Sequence, residues 1–259
     1  MAQDGLPAEN LDIEVHRALA QGPARERLTA LWGWVEAQWS DSTGQTCRAD
    51  LAMLVEQFPR ASNAWDVAVA SVVAGQDFAP AAAEIGVALR DVHAGLVKAF
   101  GRAPVGDLIT TWRDHLTATV RQVPALAAMH APLDQRLTEM GPVTELGHRV
   151  HGDFHLGQVL HAPDSATAPW RIIDFEGEPL RPLAERRAWD TGWRDVAGLL
   201  RSLDYAGAHA VRTYQIAPQE ARDWVVSASE AFVAAYAGRN LTPTEADLVD
   251  AYLIDKAVY

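Results

Sequence analysis

The sequence predicts an α+β fold in which a smaller N-terminal part with part of a sheet precedes a larger, mostly helical part. Three observations support this prediction. Residues 28–39 and 49–58 have the aromatic, roughly alternating composition of two antiparallel strands. From Asn63 onward, apolar residues recur mainly at helical spacing. Within this helical region, the short apolar runs 159–160 and 170–173 flank a turn rich in Pro, Asp, Ser and Thr, which predicts a β-hairpin.

The N-terminal part, which the resemblance described below makes a partial small lobe with the hinge, spans residues 1–60. Residues 1–10 are polar and are expected to be frayed. Apolar side chains at positions 11, 15, 18 and 19 predict a helix over 11–20, which Gly22 and Pro23 stop. The two predicted strands follow this helix, and the segment after them leads out of the sheet into the helical lobe.

The mostly helical part, which the same resemblance makes the large lobe with the catalytic hairpin, spans residues 61–259. Asn63 suits the N-cap of its first helix, and Pro243 suits the first turn of its last helix. Residues 180–190 form an irregular stretch of mixed charge. Helical spacing predicts helices over 64–74, 80–100, 106–128, 133–140, 192–205, 218–237 and 242–259.

Composition excludes several classes of protein. The formal net charge of −12 argues against nucleic acid or an anionic membrane as a partner. No apolar run approaches the roughly 18 residues of a membrane span, and the N-terminus lacks the basic and apolar segments of a signal peptide. Cys47 is the only cysteine, which excludes an internal disulfide framework and fits a reducing compartment. A cytoplasmic location is therefore predicted.

Two carboxylates and an amide surround the predicted hairpin. Asp153 precedes its first strand, Asp174 ends its second strand, and Gln158 lies between them in sequence. A hairpin brings these positions side by side. Phosphoryl transfer uses one carboxylate to accept or orient a hydroxyl proton, and a second one with an amide oxygen to hold Mg²⁺ on the phosphates. The order of the three residues follows the general kinase pattern. Asp153 is therefore the predicted catalytic base, and Asp174 and Gln158 are predicted Mg²⁺ ligands.

Three motifs together resemble one family. The runs HGDFHLGQVL at 151–160, IDFEGEP at 173–179 and RDVAGLLRS at 194–202 resemble the bacterial maltokinases, which are also found fused to trehalose synthase. The related actinobacterial glucosamine kinases share the pattern. The resemblance extends from about Leu11 to the last residue.

The resemblance implies a protein-kinase-like, aminoglycoside phosphotransferase-like two-lobed fold with ATP and Mg²⁺ as cofactors. It further implies that a small-molecule sugar is phosphorylated. Maltose, converted to maltose 1-phosphate, is the first choice, and glucosamine is the alternative. Trehalose synthase is the partner that the first choice suggests.

The resemblance also assigns roles around the nucleotide. Glu56, Gln57 and Phe58 fall at the hinge, whose backbone would bind adenine; an ordinary strand-to-helix loop is the other interpretation. Glu14, in the first helix, is a candidate partner for a phosphate-binding lysine. Glu176 either contacts a second Mg²⁺ or supports its loop.

Further roles concern the catalytic loop itself. Asp195 lies in the first turn of its helix, where a carboxylate suits the helix dipole, and kinase-like folds use such an aspartate to brace the catalytic loop. His151 is expected to hold the loop by hydrogen bonds. His155 either meets the sugar or packs, and the sequence does not decide between the two.

Two features depart from the family. No lysine precedes Lys98, and no glycine-rich phosphate loop is present. The chain is therefore expected to be a large internal fragment of a longer kinase, truncated at both ends. A non-catalytic remnant or binding module is the alternative that these absences favour.

A metallohydrolase is a rival interpretation from another class. In an extended segment His151, Asp153 and His155 alternate onto one face, and with Asp174 they could hold zinc or a non-haem metal. The motifs at 173–179 and 194–202 have no role in such an enzyme, so the kinase interpretation is preferred.

Overall fold

A computed structural model describes residues 10–143, 145–165, 167–179 and 181–258. The predicted fraying at the N-terminus concerns residues 1–9, which lie outside the described residues. The helices of the described residues are α1 (Leu11–Leu19), α2 (Ala64–Val73), α3 (Ala79–Phe100), α4 (Leu108–Gln122), α5 (Ala127–Glu139), α6 (Leu183–Arg186), α7 (Trp193–Tyr214), α8 (Pro218–Ala237) and α9 (Pro243–Val258). The strands are β1 (Leu31–Ser40), β2 (Thr46–Val55), β3 (Ser62–Asn63), β4 (Ala103–Pro104), β5 (Leu146–Gly147), β6 (Val159–His161) and β7 (Trp170–Ile172).

An antiparallel hairpin of β1 and β2 forms the described part of the small-lobe sheet. Its turn depends on Asp41, whose carboxylate accepts hydrogen bonds from the backbone N–H groups of Thr43 and Gln45 at 2.8 and 3.0 Å. Because this turn closes early, β2 starts at Thr46, three residues before the predicted 49–58.

Helix α1 begins as its sequence indicates. The side chain of Asn10 accepts hydrogen bonds from the backbone N–H groups of Asp12 and Ile13 at 2.9 and 3.1 Å. These bonds satisfy two of the donors that a helix start leaves open. The predicted helix over 11–20 is confirmed as Leu11–Leu19.

The second predicted hairpin is also confirmed. Strands β6 and β7 are antiparallel with Val159 opposite Ile172, and β3 extends them into a three-stranded sheet. Val159 and Ile172 are fully buried. Since the loop 151–158 enters β6 and Asp174 follows β7, this sheet brings the predicted catalytic segments together.

The helical core is centred on α3. Its apolar face is predicted to comprise Ile85, Leu89, Val92, Leu96 and Phe100; the first four are completely buried and Phe100 is half-buried. Helix α8 packs closely against it, because a Cβ at Gly86 would lie 2.5 Å from the carbonyl oxygen of Phe232. Among the helices of the described ranges, none combines the length and apolarity required to cross a bilayer.

The middle of the large lobe differs from the prediction. The helix predicted over 106–128 ends at Gln122, because Pro124 lacks the N–H needed to continue it and starts a separate 3-10 turn. The helix predicted over 133–140 begins earlier, at Ala127, and contains Pro132. Helix α7 extends nine residues past the predicted end at Tyr205 and stops at Gln215, which has a left-handed conformation.

Candidate active site

The catalytic loop is anchored to the first turn of α7. One carboxylate oxygen of Asp195 accepts the backbone N–H of His151 at 2.8 Å, and the other accepts that of Gly152 at 2.9 Å. The side chain of Asp195 is 1% exposed. These bonds join the catalytic loop to α7, and the bracing role of Asp195 stays a prediction.

Two further side chains, His93 and Tyr236, hold Asp195 in place. Because a carboxylate only accepts hydrogen bonds, Nε2 of His93 donates to Asp195 across 2.9 Å. Nδ1 of His93 lies 2.9 Å from the hydroxyl of Tyr236. Burial opposes the charged form of Asp195, but the hydrogen bond and charge of His93 and the Gly152 N–H outweigh it, so the pKa of Asp195 is far below its ordinary value. Asp195 is thus a buried carboxylate that remains charged.

His151 connects the loop to the end of β7. Its Nε2 donates to the carbonyl oxygen of Ile173 at 2.9 Å, and its Nδ1 accepts the backbone N–H of Asp153 at 3.3 Å. Both ring nitrogens are thereby used. These bonds leave no nitrogen of His151 for the metal site of the rival hydrolase interpretation. The loop-supporting role of His151 stays a prediction.

The carboxylate of Asp153 faces a cavity of about 410 Å³ between the catalytic loop, α7 and α9. The polar lining of this cavity includes Asp153, His155, Glu178, Arg194, Asp255 and Lys256. In the described residues Asp153 has no side-chain hydrogen bond or ion pair. A carboxylate that is held by its backbone and free at its oxygens can approach a hydroxyl group in the cavity.

The predicted metal ligands lie side by side. The side-chain amide of Gln158 donates to a carboxylate oxygen of Asp174 at 2.7 Å. Asp174 has a φ of 66°, a left-handed conformation that is uncommon outside glycine. The pair offers carboxylate and amide oxygens, which are the ligand types that Mg²⁺ takes. No group of three or more His, Cys, Asp or Glu in metal-binding arrangement occurs within the described ranges.

Glu176 has a different neighbour. Its carboxylate accepts a hydrogen bond from the Asn10 side chain at 2.8 Å, and the backbone N–H of Phe175 donates to Asp12 at 3.1 Å. These contacts tie the segment after β7 to the start of α1. They fit the loop-supporting alternative for Glu176, and its role at a metal stays a prediction.

His155 has a defined orientation. Its Nδ1 accepts the backbone N–H of Gly157 at 3.0 Å and caps the 3-10 turn at Leu156–Gln158. The neutral imidazole therefore carries its proton on Nε2. Burial lowers the pKa of His155, whereas the carboxylates of Asp153 and Asp174 act in the opposite direction.

Glu14 and Glu56 are predicted to lie near the nucleotide, and the structure gives both of them protein partners. Glu14 forms ion pairs with Arg149 at 3.4 Å and Arg187 at 3.0 Å, so its partners here are arginines. The backbone N–H of Glu56 donates to the carbonyl oxygen of Ala30, just before β1, and the carboxylate of Glu56 accepts the backbone N–H of Ala30.

The other two hinge residues follow Glu56 at the exit of β2. Gln57 is exposed, and Phe58 lies under the guanidinium of Arg171, 5.4 Å from the ring centroid. The hinge role of these three residues remains a prediction.

Sequence reasoning missed the wall that α9 contributes. Tyr252, Asp255 and Lys256 line the cavity, and the hydroxyl of Tyr252 donates to Asp190. Their spacing of three and four residues places them on one helix face. That spacing was the available signal, but only the fold shows that this face meets the catalytic loop.

Known proteins resemble this chain over most of its length. No family model matches the sequence. The chain is 32% identical over 212 residues to a glucosamine kinase of Streptacidiphilus jiangxiensis, covering 72% of this chain and 46% of that protein. It is 29% identical over 241 residues to a glucosamine kinase of Mycolicibacterium smegmatis, covering 84% of this chain and 59% of that protein. The chain thus spans about half the length of the curated relatives it matches.

Solved structures give the same neighbours. A glucosamine kinase in complex with glucosamine, ADP and inorganic phosphate superposes with a TM-score of 0.78 at 25% identity, covering 98% of this chain and 68% of the other. A second crystal form of a glucosamine kinase gives 0.77 at 26% identity, covering 99% of this chain and 63% of the other. The chain is similar to glucosamine kinases.

These comparisons confirm the predicted α+β, kinase-like two-lobed fold. They support the predicted sugar-kinase resemblance in its broader form. They give no support to the choice of maltokinases, and they favour the glucosamine kinases that were the alternative. The motifs at 151–160 and 173–179 could not separate the two groups, because both groups share them.

Proposed function

We propose that this chain forms the large lobe and part of the small lobe of an ATP- and Mg²⁺-dependent sugar kinase that acts on glucosamine. The observation that carries the proposal is that His151 joins the backbone of Asp153 to the carbonyl oxygen of Ile173, one residue before Asp174, whose carboxylate contacts Gln158. The similarity to glucosamine kinases supports the choice of reaction and sugar.

In the proposed reaction, a sugar hydroxyl forms a bond to the γ-phosphorus while the bond from that phosphorus to the ADP oxygen breaks. Asp153 orients the hydroxyl and accepts its proton. Asp174 and Gln158 would hold Mg²⁺, which when bound neutralises phosphate charge. His151 and Asp195 keep Asp153 in place, so most of the catalytic effect comes from positioning and electrostatics.

Glucosamine is preferred to maltose on the strength of the relatives. The cavity also offers the carboxylates of Glu178 and Asp255 at its wall, and an amino sugar carries a positive charge that carboxylates attract. Both carboxylates already contact arginines, so this charge argument is secondary. Nothing in the comparisons supports trehalose synthase as a partner.

The test measures ADP release from ATP and Mg²⁺, with glucosamine, maltose and glucose in parallel, and measures glucosamine binding by calorimetry. We expect release that depends on glucosamine and is abolished in Asp153→Asn, which should keep the fold. Release that depends on maltose would assign the chain to the maltokinases.

Other outcomes would contradict the proposal. Unchanged release in Asp153→Asn would refute the role of Asp153. Glucosamine binding without release would favour the binding-module alternative. If the chain neither binds glucosamine nor releases ADP, the proposed function is wrong for this polypeptide.

A further inference from the structure

Lys256 occupies an unusual place in the cavity. It is one of only two lysines in the chain, with Lys98 as the other. Its side chain is half-buried and passes over Gly198, where an added Cβ would lie 3.4 Å from its Cε. The same position on Gly198 would overlap the carbonyl oxygen of Phe154 in the catalytic loop. The lysine therefore approaches the loop where α7 contacts it.

The arginines that line the cavity have partners, whereas Lys256 has none in the described part of the chain. Arg194 pairs with Asp190 at 2.9 Å and Glu178 at 3.5 Å. Arg181 pairs with Glu178 at 2.7 Å. The remaining arginine, at position 201, donates to a tyrosine hydroxyl. Among the described residues, Lys256 and Asp153 are thus the charged side chains of this lining without a hydrogen bond or an ion pair, while Arg201 has a neutral hydroxyl as its partner.

The surroundings of Lys256 favour a bound anion as the partner of its ammonium group. Burial and the charge of Arg194 lower the pKa of Lys256, while the carboxylates of Asp195, Glu178 and Asp153 raise it. Partial burial of an ammonium group that has no hydrogen-bond partner is unfavourable, and a bound anion would offset this cost.

His155 supplies a second donor at the same place. Because Gly157 occupies its Nδ1, the proton of the neutral ring lies on Nε2. His155 lines the same cavity, and the charges of Asp153, Asp174 and Lys256 all act on it. Two nitrogen donors from different elements, the catalytic loop and α9, therefore flank the proposed base.

We propose that Lys256, with His155 as a second donor, binds the oxygens of the phosphoryl group that is transferred beside Asp153. Phosphoryl oxygens are anionic, and lysine is a common phosphate-binding residue. The same contact would hold the phosphate of the product. This inference rests on the proposed function, because it assigns a further binding residue to the same site.

The test uses inorganic phosphate as the probe and follows acetylation of the two lysines by mass spectrometry. Saturating phosphate should slow the acetylation of Lys256 about fivefold or more and leave that of Lys98 unchanged, because Lys98 is exposed on α3. If phosphate binds by calorimetry and Lys256 is not protected, the inference is wrong. If phosphate does not bind at all, it is also wrong.

Phosphate affinities of four variants form the second part of the test. Lys256→Met should weaken phosphate binding about tenfold, and Lys256→Arg should restore most of it, because a charge-assisted hydrogen bond is lost and then replaced. Lys98→Met is the control and should bind phosphate as the parent chain does. His155→Asn keeps an acceptor for the Gly157 N–H but removes the Nε2–H, and should weaken binding about threefold.

The outcomes separate this inference from the proposed function. Phosphate protection of Lys256 without any glucosamine binding would support the anion site and refute the sugar kinase. Normal glucosamine-dependent ADP release in Lys256→Met would refute the role of Lys256 and leave the proposed function standing.

Discussion

Replacing Asp195 with asparagine tests how the catalytic loop is held. The substitution preserves shape and changes one oxygen into an NH₂ group. In the parent chain one oxygen accepts the N–H of Gly152, and the other accepts both the N–H of His151 and the Nε2–H of His93. His93 can change its tautomer to accept from an amide, but a backbone N–H cannot. In either orientation of the introduced side-chain amide, one backbone donor therefore faces another donor.

The magnitude follows from this count. One buried N–H without a partner costs about 1–3 kcal/mol. The remaining hydrogen bonds also lose the strength that a charged acceptor gives them. We expect Asp195→Asn to lower the free energy of unfolding by about 3 kcal/mol, which is a large share of the roughly 5–15 kcal/mol of a typical domain. Glucosamine-dependent turnover should fall as well, because Asp153 is no longer fixed.

Urea unfolding at pH 7, followed by circular dichroism, measures the change. Asp114→Asn is the control, since Asp114 is exposed on helix α4 and should change stability by less than about 0.5 kcal/mol. Equal stability of Asp195→Asn and the control would refute the claim that the hydrogen bonds of Asp195 stabilise the loop. A destabilised variant with unchanged turnover would show that the loop does not depend on this anchor for its geometry.

Three further predictions use other parts of the site. Burial and then the charge of the neighbouring histidine lower the pKa of His148 from 6.5 to about 4, so the unfolded chain binds this proton more tightly than the folded chain does. The free energy of unfolding should therefore fall by about 2 kcal/mol between pH 7 and pH 5. Urea unfolding measures this loss, which should disappear in His148→Gln. Gly198→Ala should destabilise by about 1–3 kcal/mol because its Cβ meets the backbone carbonyl of Phe154, whereas a Cβ at Gly106 meets no atom within 4 Å and Gly106→Ala should be tolerated in the same thermal melt. Asp174→Ala should lose Mg²⁺-dependent ADP binding in a calorimetric titration, and unchanged binding would count against its role as a metal ligand.

The local features of the site could be predicted from the sequence because they depend on neighbouring residues. The apolar runs around 159–160 and 170–173 specify a hairpin, and a hairpin places Gln158 next to Asp174 whatever surrounds it. Asn63 similarly fixes the start of α2 through its own side chain. Where a prediction failed locally, as in the helix over 106–128, the signal that ends the helix was present in the sequence as Pro124.

The remaining features depend on contacts between distant segments, which periodicity does not specify. His93 meets Asp195 across 102 positions and Tyr236 across 143. In the sequence, His93 is only a histidine beside an apolar helix face, and packing was the better expectation. Likewise, the position of Lys256 in the cavity depends on how α9 packs against α7.

Helix α7 shows how one element can organise the whole loop. Asp195, Gly198 and Ser202 are three and four residues apart, so they share one face of the helix. Asp195 accepts the first N–H groups of the loop, Gly198 leaves room for the carbonyl oxygen at position 154, and the hydroxyl of Ser202 accepts the N–H of Leu156 at 3.1 Å. Successive turns of the helix thus hold successive residues on either side of Asp153. The rest of the buried side of this helix is apolar. These three positions carry small or polar residues because a backbone segment packs against that face.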